Sequence, residues 1–385
     1  RALAIALAIV IPLSVTLTTI ISNLLGFLCL FFTDRNKLKR ALKHPVSIAI
    51  FVLLALYLLG TLYSVANSKS IILALRKIAR LLFIPLLIPL FYEKIWRRRT
   101  LVAYLLAVTF SIVVAAIHTK INYGNTTPVF KDSIFTSLFA AFSIFCFAHL
   151  SIEYKKYRWL CIMATVFLSY YLFFMNYGRT GQLLIFMLFC LFCWQQFKSN
   201  FKYLIMSGLL LLVVVGGITL LPSSFAVRGE IAKNELQHFI ERDHVVMPHT
   251  SSVGLRLLMA HNSLELIKQK PLFGWGTGSF KAAYSRFVPY ENIDKQEDRA
   301  NPHNQYLLVA VELGIVGLLA LLYFFVSLAR EFLKSDSLDA KLGFGLLCTI
   351  AIGCLVNSWL LDFASMYFFV LLAAVFIAGT EARKA

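Results

Sequence analysis

Tyr306–Val326 reads YLLVAVELGIVGLLALLYFFV, and Pro302-His303-Asn304-Gln305 stands immediately before it. A helix rises about 1.5 Å per residue, so about 20 apolar residues cross the hydrocarbon of a bilayer. This run is long enough, and similar runs recur along the whole chain. Taken with 303–329, the segments 2–14, 17–32, 46–63, 71–91, 101–117, 133–150, 158–175, 181–197, 203–221, 342–359 and 362–379 predict twelve spans. The first two make a short or tilted pair, because the region from Pro12 to Thr19 reads equally as a turn or a kink. Composition agrees: of 385 residues, 59% are hydrophobic and 15% charged, with a mean hydropathy of +0.76. A soluble domain has roughly a quarter of its residues charged, which excludes a globular class. The expected fold is an all-α polytopic membrane protein. Residues 2–13 do not read as a cleaved signal peptide, since no A-x-A site follows and apolar sequence continues. Arg1 in place of Met predicts a short missing N-terminal piece.

The net charge of +18 does not indicate nucleic acid, because the basic residues sit in short clusters between apolar runs. With the N-terminus inside, alternate loops are strongly basic: 33–45 (Arg35, Lys37, Lys39, Arg40, Lys43), 92–100 (Lys94, Arg97, Arg98, Arg99), 151–157 with Arg158 beside it, the turn with Lys198 and Lys202, and 330–341. The opposite short loops hold little more than Lys69, Lys120, Lys131 and Arg179. One topology fits this bias, and it places residues 222–302 outside. The chain then divides into 1–221 (spans one to nine), a mainly helical outer loop over 222–302, and 303–385 (spans ten to twelve). In the loop, Arg228–Asp243 reads as one helix and Ser251–Gln269 as another, stopped by Pro271, with a weaker third over Ser279–Val288. Leu255, Leu258, Met259 and Leu266 share one face, expected against the membrane domain. All seven cysteines lie in apolar segments, which excludes a disulfide framework outside, and Cys190–Cys193 reads as packing within a span.

The chemistry-bearing residues gather on the outer side. His303 and Asn304 stand at the mouth of a span, where an imidazole can take a proton from a sugar hydroxyl at ordinary pH; the plain alternative is a helix cap or interface anchor. Arg179 lies in Asn176-Tyr177-Gly178-Arg179-Thr180-Gly181, a minimal turn between two spans. A guanidinium at membrane level is costly unless it meets an anion, and it suits phosphate oxygens; flanking glycines allow close backbone approach. Headgroup anchoring is the competing reading. Arg76, Lys77 and Arg80 oppose the inside-positive bias, with Arg76 and Arg80 one turn apart, and would suit a lipid-linked diphosphate or ordinary anionic lipid. Arg256 stands amid apolar neighbours and faces either a loop carboxylate, such as Glu265 or Asp243, or an anionic substrate. Phe273-Gly274-Trp275-Gly276-Thr277-Gly278 follows a helix rather than a strand, so it reads as a tight turn, not a dinucleotide loop. His238, His244, His249 and His261 lack zinc-type spacing, and no Asp-x-Asp lies outside, so no metal site is expected.

Together these features resemble a known family. Asn176–Gly181, then Arg256 upstream of Pro271-Leu272-Phe273-Gly274-Trp275-Gly276, then Pro302-His303-Asn304-Gln305 followed by Gly314, resembles the O-antigen ligase family, as does the pattern of about twelve helices with one long loop between spans nine and ten. The resemblance covers nearly the whole chain. It implies a GT-C-like glycosyltransferase of the bacterial inner membrane, with its active site facing the periplasm, that moves O-antigen polysaccharide from undecaprenyl diphosphate to lipid A–core without metal or other cofactor. It also implies that Arg179 and Arg256 are the essential arginines and His303 the catalytic histidine. Arg76, Arg80 and Asn304 are added as substrate-binding residues on physical grounds, and Asp362 as a group that can polarise an imidazole. An O-antigen polymerase or a protein O-oligosaccharyltransferase of the same superfamily remains open. The latter is usually longer at its C-terminus, so a chain ending at Ala385 leans to the ligase. A twelve-span transporter or flippase is the rival of another class, and would keep its charges at the midplane in related halves.

Overall fold

A computed structural model describes residues 1–121, 129–220, 227, 229–231, 233–234, 252–285 and 301–382. Among these residues the chain is helical throughout, without strands. The helices are α1 (Ala2–Val10), α2 (Val15–Phe32), α3 (Arg35–Leu42), α4 (Pro45–Leu59), α5 (Ser68–Ile78), α6 (Phe83–Leu87), α7 (Lys94–Ile121), α8 (Ser133–Glu153), α9 (Arg158–Tyr170), α10 (Arg179–Phe197), α11 (Phe201–Leu220), α12 (Ser252–Gln269), α13 (Phe280–Tyr284), α14 (Gln305–Phe332), α15 (Leu338–Gly353) and α16 (Phe363–Glu381). Every predicted span contains a helix. Among the described residues, however, seven helices are long and apolar enough to cross a membrane, or eight if α3 and α4, bent by 68°, count as one. The protein is a multi-pass membrane protein.

The difference from twelve has local causes. The region 71–91 carries Pro85 and Pro89, each lacking an N–H, and breaks into α5, α6 and two 3₁₀ turns. The region 342–359 is helical only to Gly353, and α1 has nine residues. The Pro12 region is a turn: α1 stops at Val10, and the Ser14 hydroxyl caps α2 by accepting from Leu17 N. Of the loop helices, Arg228–Asp243 falls largely outside the described residues, and the third is the short α13. Apolar side chains such as Leu24, Phe27, Phe31, Leu106, Phe110 and Leu319 are exposed on the helix faces, as expected where the solvent is hydrocarbon. α16 is the axis of the bundle, buried from Ala364 to Thr380.

Loops predicted to share a side touch one another. At the basic end, Lys198 pairs with Asp336 at 2.9 Å, and buried Arg97 meets buried Asp339 at 3.3 Å while donating to the carbonyls of Phe91 and Tyr92. His44 accepts from Val46 N through Nδ1 and turns Nε2 toward Glu331 at 3.3 Å and Glu381 at 3.6 Å. At the other end, the loop end, which carries the 222–302 segment, residues 61–66 bind the glycine run.

That binding arises from a break in α14. Gly314 has φ +64° and ψ −161°, which opens the helix and strips backbone groups of their partners. In a membrane such groups must be satisfied by protein. The Pro271–Gly276 loop does so: Trp275 N donates to Val311 O, Gly276 N to Glu312 O, Ile315 N to Pro271 O and Val316 N to Leu272 O. Gly274, Gly276 and Gly278 all have positive φ, and a Cβ at Gly276 would strike the backbone of Ser64. Further bonds tie the loop to α4 and to residues 63–65 beyond its end: Thr277 Oγ1 to Tyr57 O, Tyr63 OH to Phe273 O and Val65 N to Trp275 O. The run is a tight turn, as its sequence predicts, and it seals a broken span.

Candidate functional site

The Arg179 turn is set by its neighbours. α9 ends in a π-helical turn, Tyr171–Met175, a form of helix often found at functional sites. Asn176 Oδ1 then accepts from Gly178 N at 2.6 Å, and Gln182 Nε2 donates to the carbonyls of Leu172 and Asn176. Arg179 thereby becomes the first residue of α10 and is half-buried. The flanking glycines serve packing: a Cβ on Gly178 or Gly181 would collide with Ser133 or Ser137 of α8. They let α8 and α10 approach closely, rather than leaving room for a ligand.

His303 is the one non-glycine residue among those described with positive φ, at +51°. A strained backbone of this kind persists only where the surroundings over-determine it, and such residues cluster at functional sites. The surroundings are visible. Asn301 Oδ1 accepts from His303 N at 3.0 Å and from Ser358 Oγ at 2.6 Å. Asn304 Oδ1 caps α14 by accepting from Tyr306 N and Leu307 N, while its Nδ2 donates to Leu355 O. Gln305 N donates to Cys354 O, and Tyr306 OH to Ala351 O. Residues 301–306 are thus zipped along 351–358, with the Asn304 amide engaged as cap and tether.

The same segment leads to the basic residues of α5. Asp362, whose N–H donates to Ser358 O, stands at the N-terminal boundary of α16 without a side-chain capping bond and lies within electrostatic reach of Lys77, Arg80 and Asp132. Arg80 holds its guanidinium 5.1 Å over Phe363 and 5.5 Å over Tyr367. Lys77 also lies within electrostatic reach of buried Glu312, whose carboxylate is near the backbone N–H groups of Gly278 and Phe280. Arg76 is exposed, so it is Lys77 that shares Arg80's half-buried face. Asp132 caps α8 by accepting from Phe135 N, and the carbonyl of Ser133 lies against Gly178 beside Arg179. Hydrogen bonds thus join His303 through Asn301 to Ser358 and the backbone of Asp362, with Lys77 and Arg80 within electrostatic reach of the Asp362 carboxylate.

Arg256 belongs to the loop helix α12. It is half-buried on α12, three residues before buried Met259. Met259 and Leu266 face the membrane domain as predicted, Leu255 packs partly buried beside them, and α12 lies along α14, the helix that carries His303. Glu265 pairs with Lys268 at 2.6 Å, and Asp243 lies outside the described residues, as do His238, His244 and His249. Among the described residues no group of three His, Cys, Asp or Glu side chains stands close enough to hold a metal. Below the Arg179 turn, α8, α9 and α10 enclose an apolar groove of about 490 Å³ lined by Phe145, Phe173, Phe186, Phe189 and Phe192 among others.

Sequence reasoning missed Asn301 and Ser358, because neither lies in a motif and only folding joins them. Glu312 was equally visible as a carboxylate inside an apolar run, a signal that warranted a functional reading.

Residues 164–322 match the family model described as O-Antigen ligase, a stretch that contains Arg179, Arg256 and His303. Two curated proteins are similar. An uncharacterised protein of Haemophilus influenzae is 29% identical over 150 residues, which is 38% of this chain and 36% of that protein. A Rickettsia conorii protein, named as a candidate polysaccharide ligase, is 29% identical over 117 residues, 30% of this chain and 27% of that protein. The chain therefore aligns with about a third of the length of these relatives. The match to the O-antigen ligase family model thus runs from within α9 to within α14 of this membrane protein.

Proposed function

We propose that this protein is a glycosyltransferase that transfers O-antigen polysaccharide from undecaprenyl diphosphate to lipid A–core, at the periplasmic face of a bacterial inner membrane. The observation that carries this reading is the strained backbone of His303, held by Asn301 at the start of α14. The family match and the candidate ligase relative support it. Twelve membrane passages and a GT-C-like arrangement belong to the same proposal.

In this reading the polyprenyl chain lies in the groove between α8, α9 and α10. Arg179 at its mouth, together with Arg256, holds the diphosphate, and Arg76 and Arg80 support it. His303 takes the proton from the acceptor hydroxyl as that oxygen attacks the anomeric carbon from the face opposite the diphosphate. One displacement gives inversion. The bond to the diphosphate breaks as the glycosidic bond forms, and the negative charge develops where the arginines stand. Each well-placed donor to a leaving group in a dry site is worth roughly 3 kcal/mol of barrier. Asn304 acts on the acceptor side by fixing the His303 turn, and Asp362 is the carboxylate proposed to polarise the imidazole.

The test is transfer by purified protein from undecaprenyl-diphosphate-linked glycan to lipid A–core, with a chelator present. The reading predicts product, and no product with an active donor and acceptor would refute it. Extension of one lipid-linked glycan by another, with no transfer to lipid A–core, would make the protein a polymerase instead. Labelling that placed residues 222–302 in the cytosol would remove the periplasmic site.

A further inference from the structure

Beside the Asn176 turn lies a feature that the transfer reaction leaves unused. A cavity of about 30 Å³ opens between α7, the start of α8 and the π turn. Its walls include Ser111 and Thr119 of α7, Lys131, Ser133 and Thr136 at the start of α8, and Asn176. One water needs about 10–15 Å³ of such space, so the cavity has room for two or three oxygen atoms.

Lys131 is the charged residue in this wall. Its Nζ is enclosed and makes no hydrogen bond among the described residues. An ammonium group shut away from water without an acceptor is unfavourable. Asp132 attracts it, yet one Asp132 oxygen is occupied in accepting from Phe135 N, and burial outweighs that attraction and pulls Lys131 below the usual lysine range. The wall also contains the first residue of α8, a 21-residue helix whose early N–H groups carry partial positive charge. The charged side chain that lines the space is a cation, and it calls for an anion. Its volume admits the terminal oxygens of a single phosphoryl group and not a diphosphate.

We propose that this cavity is an anion site for one phosphoryl group, with Lys131 as its counter-charge. The phosphoryl comes either from a lipid headgroup or from free phosphate. Because Asn176 both lines the cavity and shapes the turn before Arg179, occupancy braces that turn. The proposal does not rest on the transferase reading.

The test uses the full chain in maltoside detergent, which contains no phosphate. Lysines are labelled with an amine-reactive acylating reagent, and the rate at each residue is read by mass spectrometry. Inorganic phosphate is added in one arm and phosphatidylglycerol in another. Protection of Lys131 but not of exposed Lys69 is expected, reaching roughly tenfold once the ligand exceeds its Kd by that factor. Protection by inorganic phosphate identifies free phosphate as sufficient, and protection by phosphatidylglycerol alone identifies the headgroup. An unchanged Lys131 rate in both arms, or equal protection of Lys69, overturns the site. As a second readout, Lys131→Met is expected to abolish the ligand-dependent rise in melting temperature seen in the wild type. A rise of the same size in the variant also overturns it.

Discussion

Replacing Gly314 by alanine attacks the seal between α14 and the glycine run. At φ +64° and ψ −161° the backbone lies in a region that is nearly confined to glycine, and forcing another residue there costs about 1–3 kcal/mol. The new Cβ also meets the Leu272 carbonyl and Phe273 N, so the loop must retreat. Four hydrogen bonds cross this seam, at 2.9 Å (Trp275 N to Val311 O), 2.8 Å (Gly276 N to Glu312 O), 2.8 Å (Ile315 N to Pro271 O) and 3.4 Å (Val316 N to Leu272 O). Losing two, at about 1 kcal/mol each, brings the total to about 3–5 kcal/mol. At about 2 °C per kcal/mol, the melting temperature of purified protein in detergent should fall by at least about 6 °C. Gly208→Ala is the control: nothing lies within 4 Å of a Cβ there, so the melting temperature should hold or rise slightly, since alanine is the better helix former. If Gly314→Ala melts with the control, the sealed break is not a structural necessity.

Other contacts can be tested in the same way. Arg179→Lys keeps the charge but loses the planar fork, and transfer should fall about a hundredfold or more in a glycan-transfer assay; near-normal rates would return Arg179 to headgroup anchoring. Asn301→Ala removes the acceptor shared by His303 N and Ser358 Oγ, and the displaced imidazole should lower kcat about tenfold or more, with little change in donor KM. At the basic end, Asp339→Ala leaves Arg97 buried without its carboxylate, which should cost about 3–5 kcal/mol in thermal unfolding. The double replacement Arg97→Leu with Asp339→Leu should recover much of that loss.

The helices were legible because apolar run length and loop charge are properties of the chain alone. Each predicted segment holds a helix, and the basic loops do meet one another. The breaks were harder. Pro85 and Pro89 announced an interruption of 71–91, but the opening of α14 depends on what fills it, and that is a loop about forty residues earlier. For the same reason Gly178 and Gly181 invited a ligand-binding reading, while the neighbour they accommodate is Ser137 of α8. Arg179 and His303 were singled out by position and charge. The hold of Asn301 on His303 and Ser358 was not, because sequence spacing gives no hint that residues 301 and 358 are adjacent. Asn304 was read for acceptor binding, and its amide turns out to be occupied with Tyr306 N, Leu307 N and Leu355 O.

Glycan transfer as proposed depends most on the imidazole at the loop end. The direct measurement compares wild type and His303→Ala in a reconstituted assay that reads both donor binding and glycan transfer. The variant should still bind lipid-linked glycan while transfer falls about 10²- to 10⁴-fold, the usual contribution of a general base. Transfer at close to the wild-type rate would contradict the role given to His303.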